Sequence, residues 1–382
     1  MNVLALNCGS STVKFRLVAV EPGEPAAAGR ALAHGTQTVR GEDYASAIAA
    51  ALATTKAAGP IEAVGHRVVH GGTRFVAPTP IDEAVIAALT ALEALAPLHN
   101  RPSVAGIRAC RDALGAAVPM AAVFDTAFHA SLPERAATYA IPAELAARHG
   151  IRRFGFHGIS YAWATARAAT LLGRPAAQLR LVALHLGSGC SAAAIRGGAS
   201  VDTSMGLTPL EGLVMRTRAG DVDPALVGVL ARAEHATLED VEHWLNERSG
   251  LRGLAGGDGD VRDLLARERD DARARLALDV FCHRARKYLG AYLAVLEGAD
   301  AVVFTGGVGE HQPELRRRIA GSFEWCGLTL DSRRNSTTLG TDGLISADGS
   351  TVQALVVAAD EERLIAAETA ACLARAVPAK SR

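Results

Sequence analysis

The feature that most constrains this chain is a short phrase that occurs twice. Leu4-Ala5-Leu6-Asn7-Cys8-Gly9-Ser10 returns as Val182-Ala183-Leu184-His185-Leu186-Gly187-Ser188, at an offset of 185 − 7 = 178. In the first copy the apolar run leads into a turn of glycine and hydroxyl residues, and alternation resumes through Val13, Phe15 and Leu17. That pattern predicts strand, turn, strand. Gly9 lets the backbone approach a ligand, and Ser10, Ser11, Thr12, the turn amides and Lys14 can all donate to phosphate oxygens. The competing reading is a surface hairpin with polar turn residues. Two such hairpins predict two similar domain cores, and 382 residues exceed what one core normally holds.

Charge narrows the partners. Forty basic and forty acidic residues cancel, so no global field draws in nucleic acid or an anionic membrane, and any anion site is local. No apolar run reaches membrane-spanning length. The six cysteines include no Cys-x-x-Cys pair, and Met1-Asn2-Val3 does not open a signal peptide. The expectation is a cytoplasmic protein with reduced thiols.

Further along, Ile61 to Gly72 reads as a buried strand entering a glycine turn, with Arg67 on it. A guanidinium there needs an anionic partner or an escape to the surface. Ala121 to Asp125 is a strand ending in a carboxylate, either a metal or substrate anchor or a cap of the next turn. Arg152-Arg153-Phe154-Gly155-Phe156-His157-Gly158 packs cations and aromatics between glycines, and residues 202 to 224 form a long polar loop. Periodicity predicts helices from Ser103 to Leu114, Ala225 to Asn246 and Arg273 to Leu296, the last a core or subunit-interface element. Gly250 to Gly259 reads as a glycine-rich loop. Ala301 to Thr305 reads as a strand followed by Gly306-Gly307-Val308-Gly309-Glu310-His311, with a helix after Pro313. Ala359-Asp360-Glu361-Glu362 opens a last amphipathic helix.

Five phrases together resemble the acetate kinase family: Asn7 to Lys14, Gly65 to Gly72, His185 to Gly189, Met205 to Gly212 and Thr305 to Glu310. They occur in register over nearly the whole chain. The resemblance implies an α/β fold of duplicated ribonuclease-H-like, actin-like ATPase domains with an interdomain cleft. It implies residues 1–150 as one domain, joined by the C-terminal helix at about 360–382, and 151–359 as the other, in a cytoplasmic homodimer. It implies reversible transfer of the ATP γ-phosphoryl group to acetate, giving acetyl phosphate and ADP, with Mg2+ as cofactor and Mn2+ as its substitute. The alternatives are a propionate or butyrate kinase on the same scaffold, or a non-kinase actin-like ATPase.

Carried over by position, the resemblance implies Asn7, Arg67, Asp125, His157 and Arg218 as catalytic residues, and Asn7 and Glu361 as metal contacts. It implies an acetate pocket of Arg67, Val69, Leu98, Phe156 and Pro209. Nucleotide contacts are implied at Lys14, at His185, Leu186, Gly187, Ser188 and Gly189, at Asp260, Val261 and Arg262, and at Gly307, Val308, Gly309, Glu310 and His311. Four positions depart from the family pattern: Ser188 and His311 stand for Asn, Arg216 for Gly, and Asp360 for Asn. The first two bear on nucleotide preference, the last two on charge beside Arg218 and Glu361.

Overall fold

The computed structural model describes residues 1–9, 11–92 and 97–376, with the backbone alone at 97–99. Two six-stranded sheets organise it. The first contains β1 (Asn2–Cys8), β2 (Thr12–Ala19), β3 (Arg30–Thr38), β4 (Ala63–Val68), β5 (Thr79–Pro80) and β6 (Met120–Phe124). The second contains β7 (Arg180–Leu186), β8 (Cys190–Arg196), β9 (Ala199–Thr203), β10 (Ala301–Thr305), β11 (Gly343–Leu344) and β12 (Gln353–Val356). Their orders are β3-β2-β1-β4-β6-β5 and, read from the far edge, β9-β8-β7-β10-β12-β11. Each sheet is thus an antiparallel meander of three strands, then two parallel strands, then a short antiparallel edge.

The repetition extends to irregularities. Each meander slips register once, between Leu17 and Val18 and between Ala194 and Ile195, a separation of 194 − 17 = 177. The loss of one residue from the earlier offset occurs in the turn. Cys8 pairs with Val13 across four residues, whereas Leu186 pairs with Cys190 across three.

By contacts the chain divides into two units. One comprises Met1–Ala130, Phe156–Trp163 and the segment from Asp360 onward; the other comprises Ser131–Gly155 and Ala164–Ala359. In the first unit the C-terminal helix, Glu361–Ala376, packs against β1, β4 and β6. Gly65 of β4 makes that approach possible. A Cβ there would overlap Thr369 Oγ1 and come within 2.8 Å of Ile365 Cγ2.

Several sequence expectations are corrected. The helix expected from Ser103 begins at Pro97 and contains Pro102. The helix expected over Ala225–Asn246 is two helices, Ala225–Ala233 and Leu238–Glu247. Between them His235 turns the chain at φ 52°, and Thr237 and Asp240 form a capping box that starts the second. Gly250–Ala255 is helical, leaving only Gly256–Gly259 as loop. After β10 a helix begins at once, Gly306–His311, ahead of Pro313–Ala320.

One buried group makes stability depend on pH. His66 on β4 is 1% exposed, and its Nε2 has no hydrogen-bond partner among the described residues. Burial, with Arg111 nearby, pushes its pKa down from 6.5 to about 3. Below pH 6.5 the unfolded chain therefore takes up a proton that the native state refuses, so stability falls as pH drops, until the native pKa is reached. A drop from pH 6.5 to 5 is expected to cost about 2 kcal/mol through this group. Denaturant titrations at both pH values should show a smaller loss for His66→Leu, and equal losses would remove His66 as the cause.

Candidate active site

In the first unit β1, β4 and β6 run parallel, so their carboxyl ends gather along one edge of the sheet. That edge is where open α/β sheets present ligand-binding residues. Asn7 lies one residue from the end of β1, Arg67 one from the end of β4, and Asp125 directly after β6. The three interlock. Arg67 Nη2 donates to Asp125 Oδ2 at 2.6 Å, Nε lies 3.1 Å from the same oxygen and 3.2 Å from Oδ1, and Nη1 donates to Asn7 Oδ1 at 3.0 Å. The partner that the arginine's burial demanded is therefore Asp125, itself 1% exposed. Burial opposes the guanidinium's charge, but Asp125 and then Glu361 outweigh it and hold the pKa above its ordinary value.

Glu361 begins the C-terminal helix. Burial, followed by the nearby Asp125 and Glu362, raises its pKa, while Arg67 and Lys14 pull it down. Lys14 is exposed and sits opposite Asn7 in the β1–β2 register. Among the described residues no cluster of three or more His, Cys, Asp or Glu could hold a metal alone. The donor set does fit Mg2+, a hard cation usually held by one or two carboxylates together with substrate phosphates. A carboxyl raised first by burial and then by its acidic neighbours gains from such a cation.

His157 turns the chain at φ 58°, a conformation that L-residues rarely adopt and that is enriched at functional sites. Its carbonyl accepts from Tyr161 N at 3.0 Å. A Cβ on the next residue, Gly158, would overlap the Asp125 carbonyl oxygen, so His157 and Asp125 belong to segments in direct backbone contact. Phe156 is 2% exposed, and its ring meets that of His70 edge-on at 5.6 Å. Burial pushes His70 down to about 4, and its Nδ1 accepts from Gly72 N at 2.9 Å. Asn100, which no motif or periodicity marks, fixes this corner by exchanging two 3.0 Å hydrogen bonds with the His70 backbone. Val69, next to His70, is half-buried. The Leu98 side chain and Ser10 lie outside the described residues.

The second unit holds the other candidates. At the β7–β8 turn Gly187 N donates to Gly189 O at 3.1 Å, His185 is half-buried and Ser188 is exposed. The Ser188 carbonyl accepts from Arg216 N at 3.1 Å. Arg216 in turn reaches Asp258, with Nη2 2.7 Å from the carboxylate and Nε 2.9 Å from the carbonyl. Asp258 accepts from Asp260 N, and Asp260 caps the helix Val261–Arg267 while pairing with Arg262 at 2.8 Å. The unexpected Arg216 therefore ties two of the three expected nucleotide segments together. The third opens at Gly306, whose φ of 76° places the chain so close to β7 that a Cβ would lie 2.7 Å from Leu186 O. Gly307 faces open space and Val308 is half-buried. Glu310 is 8% exposed and accepts from Ala359 N at 3.1 Å, whereas His311 is exposed. Sequence reasoning missed Arg316, which is fully buried and donates to the carbonyls of Gly309 and Glu310 at 2.8 Å each.

Pro209 and Arg218 meet on the polar loop. Arg218 Nη1 donates to the Pro209 carbonyl at 3.2 Å and lies 3.7 Å from Met215 Sδ. Burial lowers its pKa, against favourable influences of Glu247 and Cys190. The loop is clamped by Glu211, which accepts from the Tyr139 hydroxyl and from Arg153 Nη2, while Leu207 N donates to Tyr139 at 2.9 Å.

A family model described as the Acetokinase family matches residues 2–367. The chain is 46% identical to a protein of Solibacter usitatus named acetate kinase, over 98% of each chain. Its structure resembles a Porphyromonas gingivalis acetate kinase crystal structure with a TM-score of 0.89 and 36% identity, covering 97% of this chain and 99% of that one. A propionate kinase from Francisella tularensis follows with a TM-score of 0.87 and 35% identity, covering 96% and 98%.

Proposed function

Because the chain belongs to the acetokinase family, we propose that the residues just described carry the transfer of the ATP γ-phosphoryl group to acetate. The enzyme is a kinase whose acceptor is a carboxylate, and acetate is favoured over propionate as that acceptor. The observation that supports these roles best is the interlocked Asn7–Arg67–Asp125 set at the carboxyl edge of the first sheet.

Acetate resembles a Glu side chain, with a pKa near 4.3, so at neutral pH the nucleophile is already ionised and no general base is needed. Asp125, held by Arg67, orients that arginine rather than taking a proton. One acetate oxygen bonds to the γ-phosphorus as the bridging bond to ADP breaks. The chain's task is to bring an anion to a polyanion and to spread charge over the equatorial oxygens. Arg67 and Arg218 hold the carboxylate and the transferring group, His157 donates to an equatorial oxygen, and Asn7 keeps Arg67 in place. Val69 and Phe156 contact the methyl group, and the same role is proposed for Pro209. Lys14, the β7–β8 turn, Asp260 to Arg262 and Gly307 to His311 receive the nucleotide, with the exposed Gly307 giving it close access. Glu361, with Asn7, would hold Mg2+, which screens the phosphate charges when bound.

The same proposal makes the enzyme a cytoplasmic homodimer. Support comes from the six unpaired cysteines and from Leu276 and Val295, which are 56% and 42% exposed on the long helix Ala272–Val295. A hydroxamate assay with ATP and a panel of short acids tests the reaction, and acetyl hydroxamate is expected to dominate. ATP hydrolysis without acyl phosphate would overturn it. Val69→Ala is expected to shift preference toward propionate and butyrate, by about 1–3 kcal/mol per methylene in kcat/KM. An unaltered ratio among the acids would take Val69 out of the pocket.

A further inference from the structure

Asp360 directly precedes the helix that carries Glu361, at a position where the family resemblance led us to expect Asn. Its Oδ2 lies 2.8 Å from Arg16 Nη1 and 3.2 Å from Arg363 Nε, and its Oδ1 accepts from Arg363 N at 3.3 Å. Side-chain exposures of 23% for Arg16, 16% for Asp360 and 30% for Arg363 set this group apart from a solvated surface pair. Arg16 lies two residues from Lys14 on β2, so both project from one face. Opposite them on β1 stand Ala5 and Asn7. The first turn of the C-terminal helix is thereby fastened to the strand pair that presents Asn7 and Lys14.

An amide at 360 could keep the helix cap, but it has no charge to offer and would turn N–H donors toward two guanidinium groups. Removing one partner of a shielded ion pair strands the other. We infer that the Arg16–Asp360–Arg363 clasp is a positioning device for Glu361, setting where its carboxylate meets the metal and phosphates. The inference rests on the reading of Glu361 as the Mg2+ contact. The departure at 360 is thus matched by an arginine at 16.

The test compares Asp360→Asn, Arg16→Gln, the double variant and Glu361→Gln in the full chain. It reads the Mg2+ requirement, KM for acetate, and amide hydrogen exchange across 361–366 in metal-free protein. Asp360→Asn should raise the Mg2+ requirement about tenfold, as loss of a ligand's supporting partner typically does. KM for acetate should stay within about twofold, and faster exchange should be confined to the first helical turn. The double variant should recover part of the Mg2+ response, because the two amides can hydrogen-bond and only Arg363, 30% exposed, is left without its carboxylate. An unaltered requirement in Asp360→Asn, no recovery in the double variant, or exchange raised throughout the chain would each overturn the clasp. A Mg2+ requirement untouched by Glu361→Gln would instead overturn the reading of Glu361, and the clasp with it.

Discussion

Arg218→Ala is expected to lower turnover by about 10³ to 10⁵ while leaving ADP affinity within a few-fold, because an arginine stabilising a transferring phosphoryl group acts chiefly in the transition state. The two arginines proposed for the active site differ in how they are held. Arg67 is committed to Asp125 at 2.6 Å. Arg218 has no carboxylate within ion-pair distance among the described residues; a carbonyl and a thioether hold it instead. Its charge is held in place without being neutralised, which suits a site that must receive an anion. Single-turnover measurements beside equilibrium ADP binding separate the two effects. Arg218→Lys should restore only part of the rate, since an ammonium cannot reproduce a planar fork. Near-normal turnover in Arg218→Ala would sink the assignment.

Gly65→Val is expected to release the C-terminal helix from the first sheet and abolish activity, although residue 65 touches no substrate. Overpacking a core site costs about 1–3 kcal/mol even where neighbours can adjust. Here the obstacles are the helix itself, through Thr369 and Ile365, with the Ile365 backbone carbonyl 3.2 Å from the added carbon. Moving the helix carries Glu361 and Asp360 away from Arg67 and Arg16. Gly65→Ala should be intermediate. Pairing it with Thr369→Ala should recover stability, because Thr369 Oγ1 is buried with no hydrogen-bond partner among the described residues and is dispensable. Limited proteolysis of the C-terminal segment and activity report on the two consequences. Recovery absent from the pair would point to the backbone of the helix as the limiting contact.

Much of the fold was legible because glycine turns and buried strands leave strong local marks. The repeat at 178 residues announced two sheets of one pattern, and the topology repeats strand for strand. β3 and β9 left no such mark. β3 is mostly half-exposed and carries Arg30, His34 and Gln37, so its pairing with β2 rather than its own alternation makes it a strand. The break at His235 was equally hidden, because helix propensity on both sides says nothing of a capping box between them.

In the candidate site, burial chemistry located Arg67 and its need for an anion, and Asp125 met it. The conformation of His157 was not readable, since nothing in a histidine announces a positive φ. The charged departures were legible only as isolated residues. Arg216 finds Asp258 and Asp360 finds Arg16 across 42 and 344 positions of chain, and such pairings exist only after folding.

The packing of the C-terminal helix on β1, β4 and β6 also has a bearing on biosynthesis. Between the end of β6 at Phe124 and the start of that helix at Glu361 the ribosome adds 361 − 124 = 237 residues. At about 5–20 residues per second that takes roughly ten to fifty seconds. Throughout that interval the face of β4 around Gly65 lacks its cover, and the sheet made first is closed by the helix made last. Nascent chains stalled before Glu361 should therefore carry Asn7, Arg67 and Asp125 on an unfinished sheet, a natural client for chaperones that bind exposed apolar surface.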